Sequence, residues 1–147
     1  MKSALLYACT LVNLYVLLGS LYLALVVYPR FATVPSADWS ASYHAFTQRN
    51  GIVFVPWELL AFVLTVALYF ARPESVPSWV VHLATGCGVI YFAITFGWHL
   101  PVHRDIETNG NDAARVAPLL TSHWLRTAVE LPRVGALLWA AVTAWRG

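Results

Sequence analysis

The stretch that decides the fold is "SHWLRTAVELPRVGALLWAAVTAWRG", residues 122–147. It is mostly apolar and ends in tryptophans, like a helix that crosses a bilayer, yet it carries Arg126, Glu130 and Arg133. The twelve residues between Arg133 and Arg146 cover about 18 Å at about 1.5 Å per residue, which is short of the roughly 30 Å hydrocarbon core. If this helix spans a membrane, its three charged side chains must therefore enter the membrane.

The composition of the chain is that of an integral membrane protein. The 147 residues are 59% hydrophobic and 11% charged, against about 25% charged in a typical soluble domain. Lipid must therefore cover much of the apolar surface. The net charge of +2 comes without a basic stripe, which argues against a nucleic-acid partner. Cys9 and Cys87 lie in apolar runs and form no CxxC motif, so neither a disulfide framework nor a zinc ribbon is indicated.

Four apolar segments each approach the roughly 20 residues that span a bilayer. They predict an all-α membrane protein in which residues 1–147 form one domain, a four-transmembrane-helix bundle. The predicted spans are about 4–28, 51–71, 79–100 and 124–145.

The two long connections between the predicted spans, 29–50 and 101–122, are expected to hold short amphipathic helices at the membrane interface. In the first, Ser36 begins a helical pattern. Its apolar members are Trp39, Tyr43 and Phe46. In the second, the Asn-Gly-Asn run at 109–111 predicts a turn, and Asp112 is a candidate N-cap.

The even number of predicted spans places both termini on one side of the membrane. The short turn "RPESVPS" at 72–78 joins the second and third spans on that side, and both long connections lie on the other. Lys and Arg residues near the spans number three and four on the two sides, so the positive-inside rule does not decide between them. Lys2, beside the first span, favours a cytoplasmic location for both termini.

The charged residues of the fourth span predict a polar face inside the bundle. At about 100° per residue, the polar side chains of this span fall within an arc of roughly 80°. They are His123, Arg126, Glu130 and Arg133. A charge in lipid costs at least about 2.5–3.5 kcal/mol, so these side chains should face inward and be paired.

Glu58, in "VPWELL", is the expected partner of this face, with an Arg nitrogen within about 4 Å. It lies about two turns inside the second helix if that helix begins near Gly51. It lies in the first turn if Pro56 is the first helical residue. Two functions are open for the charged set: an ion pair that holds the bundle together, or a pocket that orients a substrate or cofactor. For the pocket, the candidate catalytic residues are Glu58, Arg126, Glu130 and Arg133.

Four of the five histidines gather at the end of the predicted bundle nearest the long connections. His99 and His103 have the i, i+4 spacing that can present two imidazoles to one metal, with His44 as a third candidate ligand. The residues proposed for cofactor binding are His44, His103 and His123. A transition metal or haem fits such residues, but interfacial histidines also commonly bond only headgroups or backbone.

The chain resembles the anthrone oxygenase-like family of small integral membrane proteins. The resemblance is carried by "HLPVHRDI" at 99–106, by "SHWLRTAVELPR" at 122–133 and by "YHAFTQRN" at 43–50. The matching residues are Pro101, His103, His123, Trp124 and Arg126, of which the two histidines stand where Asn is commoner in the family. The resemblance implies four short helices. Its named activity, oxygenation of an aromatic polyketide anthrone, requires no obvious metal motif.

These observations predict a small polytopic membrane protein with a buried His/Glu/Arg pocket near one interface. It would bind or act on a lipophilic small molecule, as an oxidoreductase or oxygenase. In this hypothesis Arg126 and Arg133 orient an oxygen of the ligand, Glu58 or Glu130 takes a proton, and the histidines serve as acid–base groups or ligands. The alternative is a non-catalytic structural or assembly subunit of a larger membrane complex. A homo-oligomer is compatible with either, and a transporter is disfavoured because no inverted repeat is visible.

Overall fold

The computed structural model describes residues 2–146, and this part of the chain is helical without any strand. The helices are α1 (Lys2–Phe31), α2 (Ser36–Ala71), α3 (Ser78–Asn109) and α4 (Ala113–Arg146). The first three are long and apolar enough to cross a membrane. The fourth has 34 residues and carries the buried charges. Each predicted span lies inside one of these helices.

The helices are longer than predicted because the long connections are themselves helical. The helix predicted to begin at Ser36 is present. It runs to Val53 and continues, after a bend at Phe54, into Val55–Ala71. The bend coincides with Pro56, which has no backbone N–H to continue the hydrogen-bond ladder. Glu58 therefore lies in the first turn of the second segment, which was one of its two expected positions.

The turn between α3 and α4 confirms the N-cap predicted from the sequence. Gly110 has a φ of 99°, a left-handed conformation that side chains disfavour. Asp112 Oδ1 accepts the backbone N–H of Arg115 at 3.0 Å, which satisfies a free donor of the first turn of α4. The side chain of Asn111 donates to the carbonyls of Phe31 and Val34 at 2.6 and 2.8 Å. This turn therefore also fixes the end of α1.

Helix α4 packs against both α1 and α3 over most of its length. Near the termini, the rings of Tyr7 and Trp145 have centroids 6.3 Å apart. Further along, His123 Nε2 lies 2.8 Å from the carbonyl oxygen of Ser20. The described ends of the chain, together with the α2–α3 turn, thus meet at one end of the bundle. The α1–α2 and α3–α4 connections lie at the other.

Two apolar clusters close the ends of the bundle and leave a polar layer between them. The cluster near the termini includes Leu6, Leu68, Val80 and Leu137, all 0–1% exposed. The cluster at the other end is aromatic. Its largest members are Tyr28, Phe31, Trp39 and Tyr43. The buried charges of α4 lie between the two clusters.

Two wide helical turns of π type shape the end of the bundle that holds the histidines. They span Leu23–Val27 in α1 and Thr95–His99 in α3, and each ends two residues before a proline, Pro29 and Pro101. Such turns occur frequently at functional sites because they disturb the regular backbone bonding. Tyr28 directly follows the first of these turns, and His99 is the last residue of the second.

The outside of the bundle is covered with large apolar side chains. Among the most exposed are Leu11, Leu25, Val63, Phe70 and Phe96. An apolar surface of this extent would be unfavourable in water, whereas the hydrocarbon core of a bilayer solvates it.

Candidate functional site

A cavity of about 310 Å³ lies between the helices at the end of the bundle away from the termini. All four helices contribute to its wall. Its polar lining includes Tyr43, Asn50, Glu58, His99, His103 and Arg126, and Phe46, Phe54, Val55 and Leu100 supply apolar surface. An apolar cavity with a few converging polar groups is the usual form of a small-molecule site.

An ion pair on this wall joins α2 to α4. Arg126 Nη2 donates to Glu58 Oε1 at 3.0 Å, and the guanidinium is 6% exposed against 17% for the carboxylate. The Arg–Glu contact expected from the sequence is therefore present. The pair faces the interior, as the cost of placing an isolated charge in lipid requires.

Tyr91 of α3 completes this pair as a third member. Its hydroxyl donates to Glu58 Oε1 at 2.5 Å and accepts a hydrogen bond from Arg126 Nη2. The Arg126 guanidinium also lies over the Tyr91 ring, with Cζ 4.3 Å from the ring centroid, a favourable cation–π arrangement. Three helices thus hold one charge-assisted cluster in a fixed geometry.

The other two candidate catalytic residues, Glu130 and Arg133, lie deeper along α4. Both are 2% exposed, and neither lines the cavity. Arg133 Nη2 donates to Thr65 Oγ1 at 3.0 Å. Within residues 2–146, no ion pair shorter than 4.0 Å reaches either side chain, and Glu130 Oε2 and Arg133 Nε are buried without a hydrogen-bond partner. Of the predicted polar face of α4, Arg126 alone therefore lines this cavity.

The histidine pair predicted from its spacing is present, and it forms part of a chain of hydrogen bonds. His99 Nε2 and His103 Nε2 lie 3.1 Å apart. At one end, His99 Nδ1 lies 2.9 Å from Ser122 Oγ of α4. At the other, the hydroxyl of Tyr43 contacts His103 Nδ1. The chain connects α2, α3 and α4 across the bundle.

The hydrogens in this chain can be assigned if both imidazoles are neutral. Ser122 donates its hydroxyl hydrogen to the carbonyl of Leu119 at 3.0 Å, so its oxygen accepts from His99 Nδ1. His99 Nε2 must then accept from His103 Nε2, and His103 Nδ1 must accept the hydroxyl hydrogen of Tyr43. Every ring nitrogen of the pair is therefore used within the protein.

The other two candidate histidines have different surroundings. His123 is 1% exposed. Its Nε2 bonds the Ser20 carbonyl, and its Nδ1 is buried without a partner. His44 is largely exposed. It bonds Gln48 at 3.0 Å and lies 3.9 Å from Glu107.

The proposed metal ligands do not form a complete set in this arrangement. Within the described residues, no group of three or more His, Cys, Asp and Glu side chains is arranged to hold a metal ion. The structure brings His99 and His103 together as predicted and leaves His44 apart from them.

Several residues of the site were missed by reasoning from sequence. Tyr43 and Tyr91 are among seven tyrosines, and nothing in their spacing distinguishes them from the others. Ser122 and Thr65 are short polar residues in apolar helices, where a bond to the helix's own backbone is the ordinary expectation. Their roles depend on which helices become neighbours, which local sequence does not reveal.

Replacing Gly19 with Ala is expected to disturb the cavity wall. A Cβ at this position would overlap Cε1 of Phe54, so the ring must move from its place beside Tyr15, where the ring centroids are 6.2 Å apart. We expect a loss of about 1–3 kcal/mol, as in other overpacked sites. Gly51→Ala is the matched control. A Cβ added at Gly51 has no other atom within 4 Å. Because alanine has a better helix propensity than glycine, the stability should be equal or raised by up to about 1 kcal/mol. Thermal unfolding in detergent measures both, and equal melting temperatures would contradict the predicted close contact.

Comparisons of the chain with protein-family models, with curated proteins and with solved structures found no match.

Proposed function

We propose that this chain is a four-span membrane protein whose cavity binds a small lipophilic molecule through an oxygen atom. We propose further that it acts on that molecule as an oxidoreductase of the oxygenase type. The observation that carries the proposal is the Glu58–Arg126 ion pair, held by Tyr91, on the wall of an otherwise largely apolar cavity. Burying an ion pair costs desolvation energy. Polar groups that converge on a space of small-molecule size are typical of a ligand site.

Four spans are supported by the position of α4 in the bundle. Contacts with α1 run from Ser20–His123 to Tyr7–Trp145, so α4 extends along the same length as a helix that is long and apolar enough to cross a membrane. The charges that lower its hydropathy are buried against neighbouring helices. Hence α4 would cross the membrane with α1, with both termini on one side, which we assign to the cytoplasm.

The four-span arrangement predicts the accessibility of single cysteines in a variant without Cys9 and Cys87. Cysteines at Ser3, Ser75 and Arg146 should react with a membrane-impermeant maleimide from one side, because all three lie at the end of the bundle that holds the termini. Cysteines at Thr33 and Thr108 should react from the other side. Labelling in intact and in opened cells provides the comparison. Labelling of the Ser3 and Arg146 positions from opposite sides would contradict four spans.

The cluster suits the removal of a proton from a hydroxyl or an activated C–H group. Glu58 would take the proton, and Arg126 would stabilise the oxygen anion that forms, such as an enolate or phenolate. Tyr91 would hold both groups in place through its two hydrogen bonds. The surrounding apolar wall lowers the local dielectric and strengthens these interactions.

An electron-rich enolate of this kind can react with dioxygen. In the proposed oxygenation, a ring methylene becomes a carbonyl. One oxygen atom of dioxygen enters the carbonyl, and the other leaves as water with the two hydrogens of the methylene. The ring carbon is oxidised, dioxygen is reduced, and no further reductant is required. The resemblance to the anthrone oxygenase-like family supports this class of reaction.

The test combines two measurements on protein purified in mild detergent. Native mass spectrometry should detect a bound lipophilic molecule, and incubation with a hydroxyaromatic ketone such as anthrone should consume dioxygen and form the quinone. Absence of both, with stably co-purifying membrane proteins, would instead favour the structural or assembly subunit.

A further inference from the structure

A second cavity continues the first one toward the outside of the bundle. This groove, of about 460 Å³, lies between α1 and the first segment of α2. Its apolar lining includes Tyr22, Leu23, Val27, Ala45 and Val53. Phe46, Asn50 and Phe54 line both the groove and the inner cavity. The two spaces therefore adjoin along one face of α2.

The wall of the inner cavity carries free donors as well as free acceptors, and its charges balance, with Arg104 and Arg126 against Glu58 and Glu107. Both ring nitrogens of His99 and of His103 are used within the protein. Thr47 and Thr95, also on the wall, donate to backbone carbonyls of their own helices. The free groups that remain include Asn50 Oδ1 and Arg126 Nε, which are both buried without a partner, and one oxygen of Glu58. Glu58 uses Oε1 for both of its bonds, and within the described residues no hydrogen bond reaches its Oε2.

This balance favours a neutral ligand whose polar group both donates and accepts hydrogen bonds. An anionic headgroup would lie beside the Glu58 carboxylate, whose Arg126 partner is already paired, and would upset the balance between Arg104 and Glu107. A like charge in a partly buried site is unfavourable. A hydroxyl group instead satisfies a free acceptor, and its oxygen can face the guanidinium. The aromatic side chains of Phe46 and Phe54 on the wall favour contact with a flat ring.

We infer that the ligand is a phenolic lipid: a neutral hydroxyaromatic head in the inner cavity and a hydrocarbon tail in the groove. This rests on the proposed function, which places a lipophilic oxygen-bearing molecule in the inner cavity. The groove is assigned to the tail because it is continuous with the head site through shared residues and because its lining is mainly apolar. The ligand would then enter from the bilayer between α1 and α2.

The test measures binding to the full chain in lipid nanodiscs, with empty nanodiscs as the correction for partition into lipid. Three probes are compared: para-ethylphenol, para-decylphenol and decanoate. We expect para-ethylphenol to bind, para-decylphenol to bind about tenfold or more tightly because its tail is buried, and decanoate to bind weakest. Decanoate binding as tightly as para-decylphenol would overturn the assignment of a neutral head.

Variants in the groove separate the tail site from the head site. Ala45→Trp should weaken para-decylphenol about tenfold and leave para-ethylphenol within about twofold, because the indole fills tail space only. Ala41→Trp, on an exposed position of the same helix that lines neither cavity, is the control and should change neither. If Ala45→Trp does not yield monodisperse protein, Val53→Trp, also in the groove, replaces it. If Ala45→Trp weakened the binding of both phenols equally, or of neither, the assignment of the groove to the tail would be wrong and the head site would stand. Failure of the unmodified protein to bind either phenol would overturn the proposed function as well.

Discussion

We expect the Arg126→Met variant to yield little folded protein. The substitution keeps much of the side-chain volume but leaves the Glu58 carboxylate and the Tyr91 hydroxyl without the guanidinium that they share. Removing one partner of a buried ion pair costs about 3–5 kcal/mol, because the remaining charge is left without compensation. The yield of monodisperse protein and its unfolding midpoint in denaturant measure the loss.

The double variant Arg126→Met, Glu58→Gln distinguishes a charge effect from a packing effect. With both charges removed, no uncompensated charge remains at this position, and replacing a whole buried pair is often close to neutral for stability. We expect the double variant to regain most of the lost stability, while ligand binding stays absent. A double variant as unstable as Arg126→Met alone would show that the arginine stabilises the bundle by packing, and a fully stable single variant would show that the pair is not buried.

Glu58→Gln alone is expected to lower turnover by about 10²–10⁴-fold, the usual contribution of a general base. The amide oxygen can still accept from Tyr91 and Arg126, so stability should fall less than in Arg126→Met, by roughly 1–2 kcal/mol. Single-turnover oxygen uptake, normalised to folded protein, measures the rate. The companion variant Glu130→Gln removes a carboxylate that does not line the cavity and should retain most of the rate. A larger loss in Glu130→Gln than in Glu58→Gln would assign the base to the deeper residue.

The inward charged face of α4 could be predicted from sequence because lipid imposes a simple rule. Charged side chains in a span are too costly to face hydrocarbon, so Arg126, Glu130 and Arg133 had to face inward and Glu58 was their natural partner. The confirmed Arg126–Glu58 contact and the N-cap at Asp112 depend on such rules, one on solvation and one on local backbone geometry.

The extent of the helices and the members of the cavity wall could not be predicted in the same way. Hydropathy marks where lipid-compatible sequence ends, whereas a helix continues as long as its backbone and neighbours allow. For that reason α2 extends upstream to Ser36. The positions of Tyr91 and Tyr43 depend on helix pairing, and the exposed position of His44 depends on the rotation of α2. The periodicity within one helix gives no information on the pairing or the rotation of the helices.

The most direct test of the proposed cavity is an experimental density map of the protein purified from its own membrane in lipid. The proposed function predicts non-protein density between α2 and α4, with an atom within about 3.2 Å of Arg126 or Glu58, and a tail that passes Phe54 toward the groove. A well-ordered map in which water alone fills this space, or in which side chains close it, would contradict the proposal that the ion pair belongs to a ligand-binding site.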